Sequence, residues 1–226
     1  MQRHFDEELV KLKDKLFKMG LLVEEAIRKS VQSLIQRDSK QAEEVIEGDQ
    51  KINILEIEID EFGHELIALR QPTAVDLRLI TMVLKINSDL ERMGDQAVNI
   101  AEKAMVLNRE APLKSYMTIP KMADLAISTV KESLDAFLEK NAERAKALCE
   151  SDDELDNLND QLYNEMQEAM NERTLQVSQA VSMIMIGHNL ERIGDLATNI
   201  AEDVIYLVEG KHVKHRVAIA GDGLNV

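Results

Sequence analysis

Apolar side chains return every three or four positions along most of the chain. Leu9, Leu12, Leu16, Met19, Val23, Ala26, Ser30 and then Ser33 or Leu34 form one stripe. Ile52, Leu55, Ile59, Phe62 and Leu66 form a second, and Ile86, Leu90, Met93, Ala97, Ile100 and Ala104 a third. A helix turns about 100° per residue, so each set gathers on one side. Such heptad-like seams predict long antiparallel helices. Breaks fall at Arg37-Asp38-Ser39, at Gln71-Pro72-Thr73, and between Asn108 and Pro120, where Pro112 also sits. Proline begins or ends helices, which makes these credible joints. In the second half the same reasoning predicts helices from Ile119 to Lys140, from Ala142 to Asn171 and from Leu175 to Val208. Periodicity is lost from Gly210 onward, so residues 211–226 read as a tail.

The second half repeats the first. Residues 90–102 read LERMGDQAVNIAE and residues 190–202 read LERIGDLATNIAE, identical at ten of thirteen positions. Earlier in each half a shift of 103 pairs Met19 with Met122, Leu22 with Leu125, Ser30 with Ser133, Ala42 with Ala145, Glu47 with Glu150 and Asp49 with Asp152. The shift falls to 100 in the third helix, which predicts a turn about three residues shorter in the second copy. Each copy is then a three-helix unit of about a hundred residues, residues 1–112 and 113–210.

Composition agrees with an all-α chain: no Trp, three Tyr, four Phe, three Pro and nine Gly in 226 residues. The net charge of −15 disfavours a phosphate backbone as partner and suits cations or a basic protein. Cys149 stands alone, so no disulfide framework exists and a cytoplasmic location is expected. The N-terminal residues carry acids and lack an apolar core, unlike a signal peptide, and no run of about 18 apolar residues suggests a membrane span.

The duplicated segment retains polar residues that packing does not require. On a helix Glu91, Asp95, Asn99 and Glu102 lie roughly opposite the Leu90–Met93–Ala97–Ile100 seam, and the second copy repeats this with Glu191, Asp195, Asn199 and Glu202. Acids on an outer face are ordinarily just solvated. Glu and Asp at i and i+4, however, repel each other at a modest cost that a bound cation would remove. Mg²⁺, Ca²⁺, Mn²⁺ and iron favour such oxygen ligands. Helix two offers further donors, because Asp49 comes level with Glu91 and Asp152 with Glu191 in antiparallel hairpins. Asp152/Asp156 is a further i, i+4 pair, and Asp49/Asn53 a weaker one. Height matching alone does not fix whether that shoulder of helix two turns toward the acids. Asn99 and Asn199 are either ligands or helix–helix hydrogen bonders. Arg92 and Arg192 either grip an anion or, the favoured reading, pair with Asp95 and Asp195 three positions on. Gly94 and Gly194 cost about 1 kcal/mol each against Ala, which suggests close approach by a helix, partner or ligand. Among the histidines no metal spacing repeats; His188 aligns with Ser88. Cys149 reads as packed rather than catalytic.

The doubled LERxGDxAxNIAE resembles the PhoU family of phosphate-uptake accessory and regulatory proteins, over roughly residues 5–212. The segments IEGDQKINILEIEID, RQPTAVDLRLI and APLK are similar to it as well. The resemblance implies two tandem three-helix bundles packed side by side, homodimeric and cytoplasmic. It implies a negative regulator of phosphate uptake and of the phosphate-starvation response. Such a protein would link the ATPase subunit of a phosphate ABC transporter to a sensor histidine kinase, and would reach the membrane only through these partners. Some members hold iron or other metal clusters on E(D)xxxD motifs. These map onto Glu91/Asp95, Glu191/Asp195 and Asp152/Asp156, with Asp49/Asn53 imperfect because Asn53 replaces an acid. Fe, Mg, Mn, Zn or Ca are all compatible, and the two halves are expected to differ. A di-iron carboxylate oxidase needs two inward Glu-x-x-His motifs, and the chain has the one spacing Glu61/His64. A metal-free dimerisation adaptor, its acids meeting basic helices of a partner, remains a third reading.

Overall fold

In a computed structural model, residues 2–112, 118–150 and 153–210 are described. They form seven α-helices: α1 Gln2–Ile35, α2 Ser39–Arg70, α3 Ala74–Asn108, α4 Thr118–Glu139, α5 Ala142–Glu150, α6 Asp153–Asn171 and α7 Val177–Glu209. No strand occurs among the described residues. The expected helix from Ala142 to Asn171 corresponds to α5 and α6 together; the two positions between them lie outside the described residues, as do residues 113–117 and the tail from 211 onward.

The seams behave as the periodicity requires. Leu12, Leu16, Met19, Val23 and Leu34 of α1, Ile52, Leu55, Ile59 and Leu66 of α2, and Ile86, Leu90, Met93, Ala97, Ile100 and Ala104 of α3 are buried in one continuous core. Phe62 and Ala26 sit at its margin. Cys149 is half-buried against the same core, a packing position. Helices α1, α2 and α3 pack on one another, α4 packs on α5, α6 and α7, and the halves join through α3 against α7 and α1 against α4.

Local chemistry repeats along with the helices. Arg37 and Lys140 both take the left-handed conformation (φ 56° and 51°) where α1 and α4 end. The next residue caps the following helix: Asp38 accepts from the amides of Lys40 and Gln41 at 3.0 and 3.1 Å, and Asn141 Oδ1 accepts from the Arg144 amide at 3.0 Å. Ser30 and Ser133, paired by the 103-residue shift, are buried and donate to the carbonyls of Ile27 and Val130 at 2.8 Å. One expectation fails. The second-copy turn is not shorter, since residues 172–176 join α6 to α7 where 71–73 join α2 to α3. The residues missing from the second copy come out of the helix ends, because α6 stops and α7 starts inside the limits its first-copy counterparts would set.

The α3–α7 junction is antiparallel and unusually polar. Lys85 pairs with the buried Asp203, and Arg78 stacks over Tyr206 at 5.6 Å. At the other end Gln179 Nε2 donates to the Ala111 carbonyl at 3.0 Å, and Ser178 Oγ donates to Glu110 Oε1 at 3.4 Å. Arg37 reaches over from the α1–α2 turn and donates to the Asn108 and Glu110 carbonyls at 2.7 and 2.5 Å, closing the C-terminal end of α3.

Candidate functional site

On α3, Glu91 is half-buried and Asp95 exposed, one turn apart and away from the seam. The shoulder of α2 does turn toward them. A Cβ placed on Gly94 would lie 3.1 Å from Ile52 Cδ1 and 3.4 Å from Asp49 Oδ1, so the glycine lets α2 approach closely and seats Asp49 beside the acids. Asp49 Oδ2 accepts from Asn53 Nδ2 at 2.8 Å, while its Oδ1 is buried without a hydrogen-bond partner. Burial raises the Asp49 carboxyl above the usual range; the Asn53 hydrogen bond pulls it down and the Asp95 charge pushes it up. Glu91 is also raised, by burial first, then by Asp95, Glu56 and Asp49, with Arg92 opposing. A cation is the species that would relieve both the mutual repulsion and the orphaned oxygen. Asn53, already donating to Asp49, turns its amide rather than a second charge on the cluster.

The second half places the same stripe differently. Glu191 is half-buried and Asp195 exposed on α7, with Asp156 exposed on α6. Asp152, expected to join them, lies outside the described residues. A Cβ on Gly194 would lie 2.5 Å from Leu155 Cδ2, so this glycine too marks helix–helix approach. Glu191 Oε2 accepts from Asn159 Nδ2 at 2.9 Å and lies 2.9 Å from His188 Nδ1. Asn99 and Asn199 follow one turn beyond Asp95 and Asp195, exposed and half-buried respectively. Among the described residues no three His, Cys, Asp or Glu side chains are already arranged to hold a metal ion.

Three members of these clusters escape a reading of the repeated motif alone. Glu56 acts on Glu91, and its counterpart under the 103-residue shift, Asn159, bonds Glu191. Carrying that shift past residue 49 would have found both. His188 is the third, and its i, i+3 spacing to Glu191 was the available signal. Arg92 has a partner on the other side of the expected one: it lies 3.6 Å from Asp89, three positions back. Helical side chains lean toward the N-terminus, so an Arg reaches back a turn more readily than forward. The Glu61/His64 spacing faces outward, with the His64 side chain 64% exposed and its Nδ1 2.8 Å from the Asp60 carbonyl oxygen, away from any core.

A model of the PhoU domain matches residues 16–104 and again 119–204. The chain belongs to the PhoU family. Its relatives include the phosphate-specific transport system accessory protein PhoU homolog of Aquifex aeolicus, 42% identical over 93% of this chain and 95% of that protein. The homolog of the same description from Clostridium acetobutylicum is 38% identical over 92% of this chain and 96% of its own length. The fold is that of the PhoU crystal structure from Pseudomonas aeruginosa, with a TM-score of 0.87 at 38% identity over 92% of this chain and all of that one. The phosphate transport system regulatory protein PhoU from Streptococcus pneumoniae superposes with the same TM-score at 30% identity, over 93% of this chain and 99% of that one. The family's duplicated domain thus coincides with the two helical halves that carry the acidic stripes. No described helix is long and apolar enough to cross a membrane.

Proposed function

We propose that this chain is an accessory regulator of phosphate transport that restrains phosphate uptake and phosphate-starvation signalling. It acts without catalytic turnover, as a cytoplasmic homodimeric adaptor between the ATPase subunit of a phosphate ABC transporter and a sensor histidine kinase. The relatives' description as phosphate-specific transport system accessory proteins supports the first part. The adaptor part rests on a chain whose distinctive polar residues form surface stripes.

The acidic stripes are proposed to bind metal. One observation carries this: Asp49 presents a buried, unpartnered carboxylate oxygen beside Glu91 and Asp95, and burial and like charge hold Asp49 and Glu91 above their usual range. In the first half Asp49, Glu91 and Asp95 would hold the ion. In the second Glu191 and Asp195 would, with Asp152 and Asp156; Asn99 would add an accessory oxygen to the first site and Asn199 to the second. A bound cation would supply charge neutralisation, fixing α2 against α3. Native protein purified without chelators is expected to carry metal that a Glu91→Gln/Asp95→Asn/Glu191→Gln/Asp195→Asn variant of unchanged helicity loses. Equal metal in both, or none in the native protein, overturns the metal assignment. Co-purification with the transporter ATPase and the kinase tests the adaptor role separately.

A second reading is favoured by the lack, among the described residues, of three ligands already arranged around one point. In it the stripes contact basic partner helices directly and no metal is needed.

A further inference from the structure

We infer that the outer face of α2 is a docking strip for a basic amphipathic helix of a partner protein. Ile54 and Ile57, one turn apart in the middle of α2, stand 50% and 53% exposed. They share the outward stripe with Glu47, Gln50, Glu61 and Glu65, all exposed. The bases nearest this stripe are held at its α1 edge. Lys15 bonds Glu58 at 2.5 Å, Lys18 acts on the same carboxylate, and Lys51 acts on Glu25 of α1. The strip is therefore apolar at its centre and negative toward both ends.

The duplication provides a comparison within the molecule. Ile52 packs at Gly94 as Leu155 packs at Gly194, which fixes the alignment of α2 with α6. Under it Ile54 answers to Asn157, Ile57 to Asp160 and Glu61 to Asn164. Asn157 and Asp160 are exposed as well. Packing inside the chain therefore asks for no apolar residue at either position, and the first copy alone places isoleucines there. A β-branched side chain is a middling helix former, and its apolar surface in water is unfavourable. Cover from outside the chain removes that surface from water.

The shape and charge of the strip specify the cover. Two apolar groups one turn apart on a straight helix are met by the i, i+4 anchors of another helix laid along it. The surrounding glutamates select Lys and Arg at the flanks of those anchors. A second copy of this chain is disfavoured, since it carries a net charge of −15 and would oppose this face with its own acids. The inference rests on the adaptor reading only in that the chain works by binding proteins, and it requires no metal.

The test uses the full chain in chelator-containing buffer and a fluorescent helical peptide of about 18 residues, built from Leu at i, i+4 positions and Lys elsewhere. Anisotropy is compared for native protein, the Ile54→Asn/Ile57→Asp variant carrying the second copy's residues, and the Glu91→Gln/Asp95→Asn/Glu191→Gln/Asp195→Asn variant. Binding is expected to weaken about tenfold or more in the first variant and to hold in the second. A scrambled peptide of equal composition is expected to bind about tenfold more weakly to native protein. Equal affinity for native and Ile54→Asn/Ile57→Asp protein, equal affinity of both peptides, or no saturable binding overturns the inference. Loss confined to the second variant also overturns it and assigns basic helices to the acidic stripes. Metal content is read in a separate assay, so failure of the metal proposal leaves this outcome intact.

Discussion

Removing Lys85 from the junction of the two halves isolates a charge that the fold has buried. Asp203 on α7 is 5% exposed, and its Oδ2 has no hydrogen-bond partner, so Lys85 of α3 is the cation that neutralises it. Truncating one member of a buried pair costs about 3–5 kcal/mol, chiefly because the other charge remains buried. The Lys85 side chain is itself close to half exposed, so water can partly take its place, and about 2–3 kcal/mol is expected for Lys85→Met. Replacing both members removes the stranded charge. Lys85→Met/Asp203→Leu is therefore expected within about 1 kcal/mol of the parent, leaving a coupling of about 2 kcal/mol. The repeat supports the choice of residue, since Met185 occupies the position equivalent to Lys85. Urea unfolding followed by helical circular dichroism on the parent, both single variants and the double variant measures the cycle. A Lys85→Met cost below about 0.5 kcal/mol, or a double variant equal to the sum of the singles, would refute the assignment of Lys85 as the neutralising charge.

Gly48→Ala is expected to stabilise α2 by up to about 1 kcal/mol, because nothing lies within 4 Å of the added Cβ. Gly187→Ala is expected to cost about 1–2 kcal/mol, since its Cβ would meet Leu162 Cδ2 and lie 2.8 Å from Asn159 Oδ1; thermal unfolding of the pair distinguishes them, and a stabilised Gly187→Ala sinks the packing argument. Arg37→Ala, which strips two charged hydrogen bonds from the Asn108 carbonyl ending α3 and the Glu110 carbonyl just after it, is expected to cost about 2 kcal/mol by the same assay. Asp49 and Glu91 are raised in the folded chain, so the folded state holds their protons more tightly than the unfolded state does. Their ionised forms therefore oppose folding above the folded values, and stability is recovered as pH falls through the window between folded and unfolded values. In metal-free protein Asp49→Asn and Glu91→Gln are expected to stabilise at pH 7 by about 0.5 kcal/mol, an advantage that shrinks toward pH 4. Equal stabilisation at both pH values would count against ionisation of the two carboxylates as the cause.

The seams, the joints and the doubling were open to inspection in the sequence, because each is a local matter. Leu90, Met93 and Ala97 share a face whatever surrounds them, and Pro72 cannot continue a helix interior whatever its neighbours. The duplicated Glu91/Asp95 and Glu191/Asp195 could likewise be placed on one stripe each. What the sequence could not decide was which neighbour each shoulder meets. That Asp49 turns onto Glu91 follows from how closely α2 comes to Gly94, a distance set by packing between two helices. That Arg92 answers Asp89, that His188 and Asn159 converge on Glu191, and that Asp203 is buried against Lys85 from the other half depend on helix rotation and on the register of α3 against α7. Periodicity fixes the angle of a residue about its own helix axis. Only the packed structure fixes one axis against another, and the charges of both candidate surfaces act across that second relation.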